Sequence, residues 1–141
     1  MNPIIFAVLA ALSFGLWTVF HKIAAPYINQ VFGAIVVSFT AVAFGAIFFL
    51  MRAKDTQLVS DPKGVIFLVL AGVAAFFIDF LALQAYSKGL PVTIGGPIII
   101  GGSIAIAVIA GFFMGDAVTA FKLLGILLLV AGAAILATAS Q

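Results

Sequence analysis

Five stretches of nearly unbroken apolar residues follow one another along the chain, separated by four short joints. They run from Pro3 to Ala25, Val31 to Met51, Gly64 to Ser87, Pro91 to Met114 and Ala117 to Ala139. Each is close to the roughly 20 residues that a helix needs to cross a bilayer. Lipid cannot satisfy a loose backbone N–H or C=O, so such spans are expected to be helices. The joints are Pro26 to Gln30, the polar segment Arg52 to Gly64, Lys88 to Pro91, and Met114 to Ala117. They leave no room for a soluble domain, and no repeat of 20 to 50 residues is visible. Gly95, Gly96 and Pro97, early in the fourth run, predict a kink there.

The third run breaks the pattern. It carries an acid, Asp79, roughly two thirds of the way along, where an ionised Asp costs about 2.5 to 3.5 kcal/mol to insert. On the same helical face Gly72, Ala75, Ala82 and Tyr86 recur at spacings of three and four. A small and polar stripe of this kind suits close helix packing or a cavity wall.

Composition agrees with the pattern. Of 141 residues 66% are apolar and 7% charged, with a mean hydropathy of +1.42, against about 25% charged in an ordinary soluble domain. The net charge of +2 reflects short basic loops and implies no nucleic-acid partner. With no Cys and one His, Cys-based metal and redox sites are excluded, and no metal or other cofactor is expected. The first run lacks a basic leader and exceeds the roughly 7 to 15 apolar residues of a signal peptide, so it reads as a first membrane helix.

An odd number of spans places the termini on opposite sides. The N-terminal side then holds Arg52, Lys54, Lys63 and Lys122, and the other side Lys22 and Lys88. The positive-inside rule favours a cytoplasmic N-terminus by four to two, in a cytoplasmic (inner) membrane. That margin also permits dual topology.

His21, Lys22 and Asp79 fall in the membrane half nearer the Lys88 loop, as do Trp17 and the Gly95 to Pro97 segment. Asp79 is thus expected to serve as a substrate or proton site, or to form a structural pair with His21 or Lys22. Trp17, Tyr86, Gly96 and Pro97 are the accompanying candidates for a cavity open towards the Lys88 face. Gly96 and Pro97 are read either as a broken helix with exposed carbonyls or as a simple kink. Gly125, Gly132 and Ala133 form a small face on the last run, a seam for another helix or protomer. Asp116 is expected to cap the fifth helix. A catalytic pair of Ser103 and His21 is the only enzymatic arrangement imaginable, and Ser103 lacks a nucleophile context. No enzyme is expected.

From Ala85 onward the order of motifs adds a further signal. Ala85 and Gly89 close the third run, Gly96 and Pro97 follow, Gly115 and Asp116 end the fourth, and Lys122, Gly125 and Gly132 mark the fifth. With Phe14, Gly15, Leu16, Trp17 and Lys22 near the start, the chain resembles the EamA-like branch of the drug/metabolite transporter superfamily. Asp116 stands where that family usually has Glu, and the family pattern requires no acid at Asp79.

The resemblance implies an all-α integral membrane protein whose five helices form one half of an inverted-repeat (5+5) transporter. One half needs a second. The expected function is transport of a small metabolite by alternating access as an antiparallel homodimer, in efflux or exchange. The alternatives are a subunit of a heteromeric transporter or lipid-linked sugar flippase, and a non-transporting membrane scaffold. The expected partners are a small-molecule solute, the lipid bilayer and a second copy or a paired five-helix subunit.

Overall fold

The computed structural model describes residues 3–52, 61–117 and 119–138. Of the expected features, residues 53–60 of the polar joint with Lys54, Val118, Ala139 and the side chains of Arg52 and Ala137 lie outside that description.

Among the described residues there are five helices, each with a start or stop written into its sequence. α1 is Pro3–Ala24, and it ends where Pro26 disfavours helical geometry in the residue before it. α2 is Gln30–Arg52. Asn29 starts it, its side-chain oxygen accepting from the N–H groups of Val31 at 3.0 Å and Phe32 at 3.2 Å. α3 is Pro62–Ser87, two residues longer at its start than the apolar run. Asp61 accepts from the Lys63 N–H at 2.8 Å, and Pro62 occupies the first helical position, where its missing N–H costs nothing. α4 is Val92–Phe113 and α5 is Ala120–Thr138.

The end of α4 explains the Gly115–Asp116 pair. Gly115 takes a φ of +88°, its N–H bonds the Phe112 carbonyl, and the Asp116 N–H bonds the Gly111 carbonyl. This is a Schellman closure, which needs a residue without Cβ strain at the left-handed position. Asp116 therefore terminates α4. The cap of α5 is Thr119: its hydroxyl accepts from the Lys122 N–H at 3.3 Å, and its carbonyl accepts the Leu123 N–H. The expectation of Asp116 as the cap of the fifth helix is corrected accordingly.

α1 to α4 are each long and apolar enough to cross a membrane, at 22 to 26 residues. α5 contributes a shorter apolar helix, Ala120–Leu136. Large side chains such as Phe39, Leu50, Phe67, Leu68 and Phe121 point outward. In water such a surface would aggregate; against lipid it is the ordinary outside of a membrane helix.

Packing divides the chain into two compact units, residues 1–20 with 89–141, and residues 21–88. In the first, α4 packs on α5. The approach is close: a Cβ added at Gly101 would stand 2.9 Å from the Ala133 Cβ. In the second, α2 packs on α3, where a Cβ at Gly33 would stand 2.6 Å from the Leu83 Cδ1. Small residues let helices meet where no water-driven effect pulls them together. α4 is continuous through Pro97, so the broken-helix reading of Gly96 and Pro97 is not what the backbone adopts.

Candidate functional site

Within residues 21–88 the polar groups converge on one end of α3. The last turn of α1 supplies His21 and Lys22, and the last third of α3 supplies Asp79 and Tyr86, which are seven residues apart and so share a face. His21 Nε2 lies 3.1 Å from Asp79 Oδ1, with side chains only 5% and 8% exposed. The structure thus places His21 beside Asp79. Ala25, Ala34, Ala82, Leu83 and Tyr86 are the buried apolar residues of the same unit.

Lys22 extends towards the end of α3. Its Nζ reaches to 3.5 Å from the Tyr86 carbonyl oxygen and lies 5.9 Å from the centre of the Tyr86 ring. A cation at a helix C-terminus is favoured by the partial negative charge of the last carbonyls, and the ring face adds a cation–π attraction. The Tyr86 side chain is buried to 1% exposure, and its hydroxyl has no hydrogen-bond partner among the described residues.

Within residues 1–20 and 89–141 a cleft of about 460 Å³ opens against α1, α4 and α5. Gly15 and Thr18 line it from α1, Gly96 and Pro97 from α4, and Gly132 and Ala133 from α5. The volume falls within the roughly 300 to 1,000 Å³ typical of small-molecule sites. Apart from Thr18 the lining is apolar, and the Thr18 hydroxyl is turned back onto the Phe14 carbonyl at 3.0 Å. Trp17 is half-buried and stacks on Phe14, centroids 5.0 Å apart.

The small face expected on the fifth helix divides. Gly132 and Ala133 line the cleft, and Ala133 meets Gly101 within the chain, whereas Gly125 is exposed. Thr18 is among the residues of the cleft that the sequence reading did not single out as candidates. A signal existed for Thr18, a polar residue three positions after Gly15 on one helical face. Ser103 donates to the Ile100 carbonyl of its own helix at 2.8 Å. No group of three metal-ligating side chains occurs among the described residues.

A family model, described as the EamA-like transporter family, matches residues 1–138. The chain belongs to the EamA-like transporter family. Apolar helices able to span a bilayer and membership of this family together make it an integral membrane protein of a transporter family. No curated protein and no solved structure matches the chain significantly.

Proposed function

We propose that the chain carries a small metabolite across a cytoplasmic membrane by alternating access, as an antiparallel homodimer in which each copy supplies one five-helix half. The buried His21–Asp79 pair, inside helices of a transporter-family chain, carries this reading. An ionisable pair in an apolar span is costly and marks a functional site by default. In this reading α5 is the fifth span: its 17 apolar residues from Ala120 to Leu136 meet the lower end of the ~17 to 25 that suffice. The cleft against α1, α4 and α5 supports a place for the solute, with Trp17, Gly96 and Pro97 at or beside it. Asp79, His21, Lys22 and Tyr86 form the polar group that answers to the cycle.

The test is flux. Proteoliposomes holding the full chain take up labelled members of a panel of amino acids, amines, monosaccharides and monocarboxylates. Wild type is expected to move at least one class, and Asp79→Asn to change both the rate and its pH profile. Flux and pH profile unchanged in Asp79→Asn would remove the functional role of the acid, and no flux from wild type would remove the carrier.

A further inference from the structure

We infer that the cleft against α1, α4 and α5 receives the hydrocarbon part of the solute, so that the chain selects solutes with a long apolar body and leaves their polar head at the membrane surface. This rests on the carrier reading above and names its substrate class.

The first argument is the lining. Thr18 alone brings a polar side chain to the cleft, and its hydroxyl donates to the Phe14 carbonyl at 3.0 Å. No ionisable side chain lines it among the described residues. A hydroxyl, amide or charge carried into such a place leaves water without gaining a partner, whereas a methylene gains by leaving water. Small polar solutes are poorly served there, and an alkyl or ring-bearing body is well served.

The second argument is where the space comes from. At a packing seam a glycine has a close neighbour: an added Cβ would stand 2.6 Å from Leu83 at Gly33 and 2.9 Å from Ala133 at Gly101. At Gly15 and Gly132, which line the cleft from α1 and α5, an added Cβ would meet nothing within 4 Å. At Gly96 it would meet only the Thr18 Cγ2, at 3.4 Å. These glycines leave room where Gly33 and Gly101 permit contact. An ordered water needs two to four polar partners, and about 460 Å³ beside one engaged hydroxyl does not supply them. An apolar group fills it better.

The third argument is orientation. Along α4 the cleft runs from Val92, the first residue of the helix, to Ile104, about 18 Å at the rise of an α-helix. Thr18, Gly96 and Gly101 within it are buried, so it is recessed between the helices. One end lies at the start of a span, where the span meets water, and the other lies within the apolar run. A polar head therefore stays at the Val92 end while the body extends inward.

The chain carries its own reporter. Trp17 is the single tryptophan and lies in α1 between Gly15 and Thr18, which line the cleft. The full chain in nanodiscs is titrated with ω-bromo-octanol, whose bromine quenches a nearby indole, and with bromoethanol, which has the same head and almost no body. Saturable quenching by the long probe, and little by the short one, is expected. Gly15→Leu and Gly132→Leu fill open space, so each is expected to keep the wild-type melting midpoint and to raise the half-quenching concentration about ten-fold or more. Gly102→Leu adds the same bulk on the exposed side of α4, outside the cleft, and is expected to change nothing. Equal quenching in wild type and both filled variants overturns the site, as does a lowered midpoint in both, which would show that the space is not open. Quenching by brominated acyl chains of the nanodisc lipid that falls in Gly132→Leu, and that unbrominated octanol does not reverse, places a lipid chain in the cleft and overturns the solute.

Flux separates this inference from the carrier reading. Within the class that crosses, unlabelled members with longer apolar bodies are expected to compete better, by about three- to five-fold per methylene, in wild type and not in Gly132→Leu. Competition independent of body length overturns the inference and leaves the carrier standing. Absence of any flux beside length-dependent quenching of Trp17 overturns the carrier, and the substrate class with it.

Discussion

At the scale of single residues, the chain concentrates its polar chemistry in very few side chains, and each has a physical reason to be where it is. Asp79 is tolerated because His21 stands 3.1 Å away; Lys22 is placed where the C-terminal carbonyls of α3 favour a cation. Tyr86 is the exception. A buried hydroxyl with no partner among the described residues carries a desolvation penalty of about 1 to 3 kcal/mol. Tyr86→Phe keeps the ring and removes that penalty, so its midpoint in a thermal or denaturant melt in detergent is expected to equal or exceed that of wild type. A clear loss of stability would show that the hydroxyl is bonded. Asp79→Ala is expected to behave oppositely. It strips His21 of its partner in a buried site, for which losses of about 3 to 5 kcal/mol are typical of broken buried pairs, read as a lowered midpoint in the same melt.

At the scale of elements, small residues decide which helices touch. Gly101 faces Ala133 so closely that a Cβ would stand 2.9 Å from the alanine's own, and neither Cβ can rotate away. Gly101→Ala is therefore expected to push α4 and α5 apart, at a cost of about 1 to 3 kcal/mol for overpacking. Ala133→Gly in the same chain is expected to restore much of it. A double variant no more stable than Gly101→Ala would refute the contact. The turn after α4 gives a second case. Gly115 holds a φ of +88°, which an L-residue reaches only under strain of about 1 to 2 kcal/mol, so Gly115→Ala is expected to lower the melting midpoint where no packing contact exists to be lost. Asp116 belongs to this closure, and Thr119 begins α5. The sequence pointed to Asp116 as the start, because an acid suits a helix N-terminus. Only the positive φ of Gly115 shows that the chain is still finishing α4 at Asp116.

At the scale of the molecule, two compact units with little interior between bulky outward faces are what a lipid environment permits. Burial from water does not drive helices together there, so packing follows glycine and alanine contacts and polar pairs. The proposed antiparallel homodimer and the four-to-two split of basic residues in the sequence lead to a definite expectation for topology. C-terminal reporter fusions, one active only in the cytoplasm and one only outside it, are expected both to be active in the same cells. Activity of one reporter alone, with no paired five-helix subunit, would sink the antiparallel homodimer. Spans and family were legible beforehand: apolar runs near the bilayer length state the spans, and the family resembled from the motif order is the one whose model matches residues 1–138. The site was legible in part. Asp79, His21 and Lys22 stood out because charges are rare in such helices, and their common depth followed from counting residues along two parallel spans.

By itself the sequence determined the class of the protein, its helices and its family, because hydrophobic length, capping residues and glycine spacing are local properties written in consecutive residues. The tertiary structure decided what depends on rotation and approach of one helix against another. It chose His21 at 3.1 Å from Asp79, buried the Tyr86 hydroxyl without a partner among the described residues, and opened the cleft beside Thr18 and Pro97. A one-residue count along a helix fixes depth to about 1.5 Å, but the face a side chain presents to its neighbour is set by packing with residues far away in the chain.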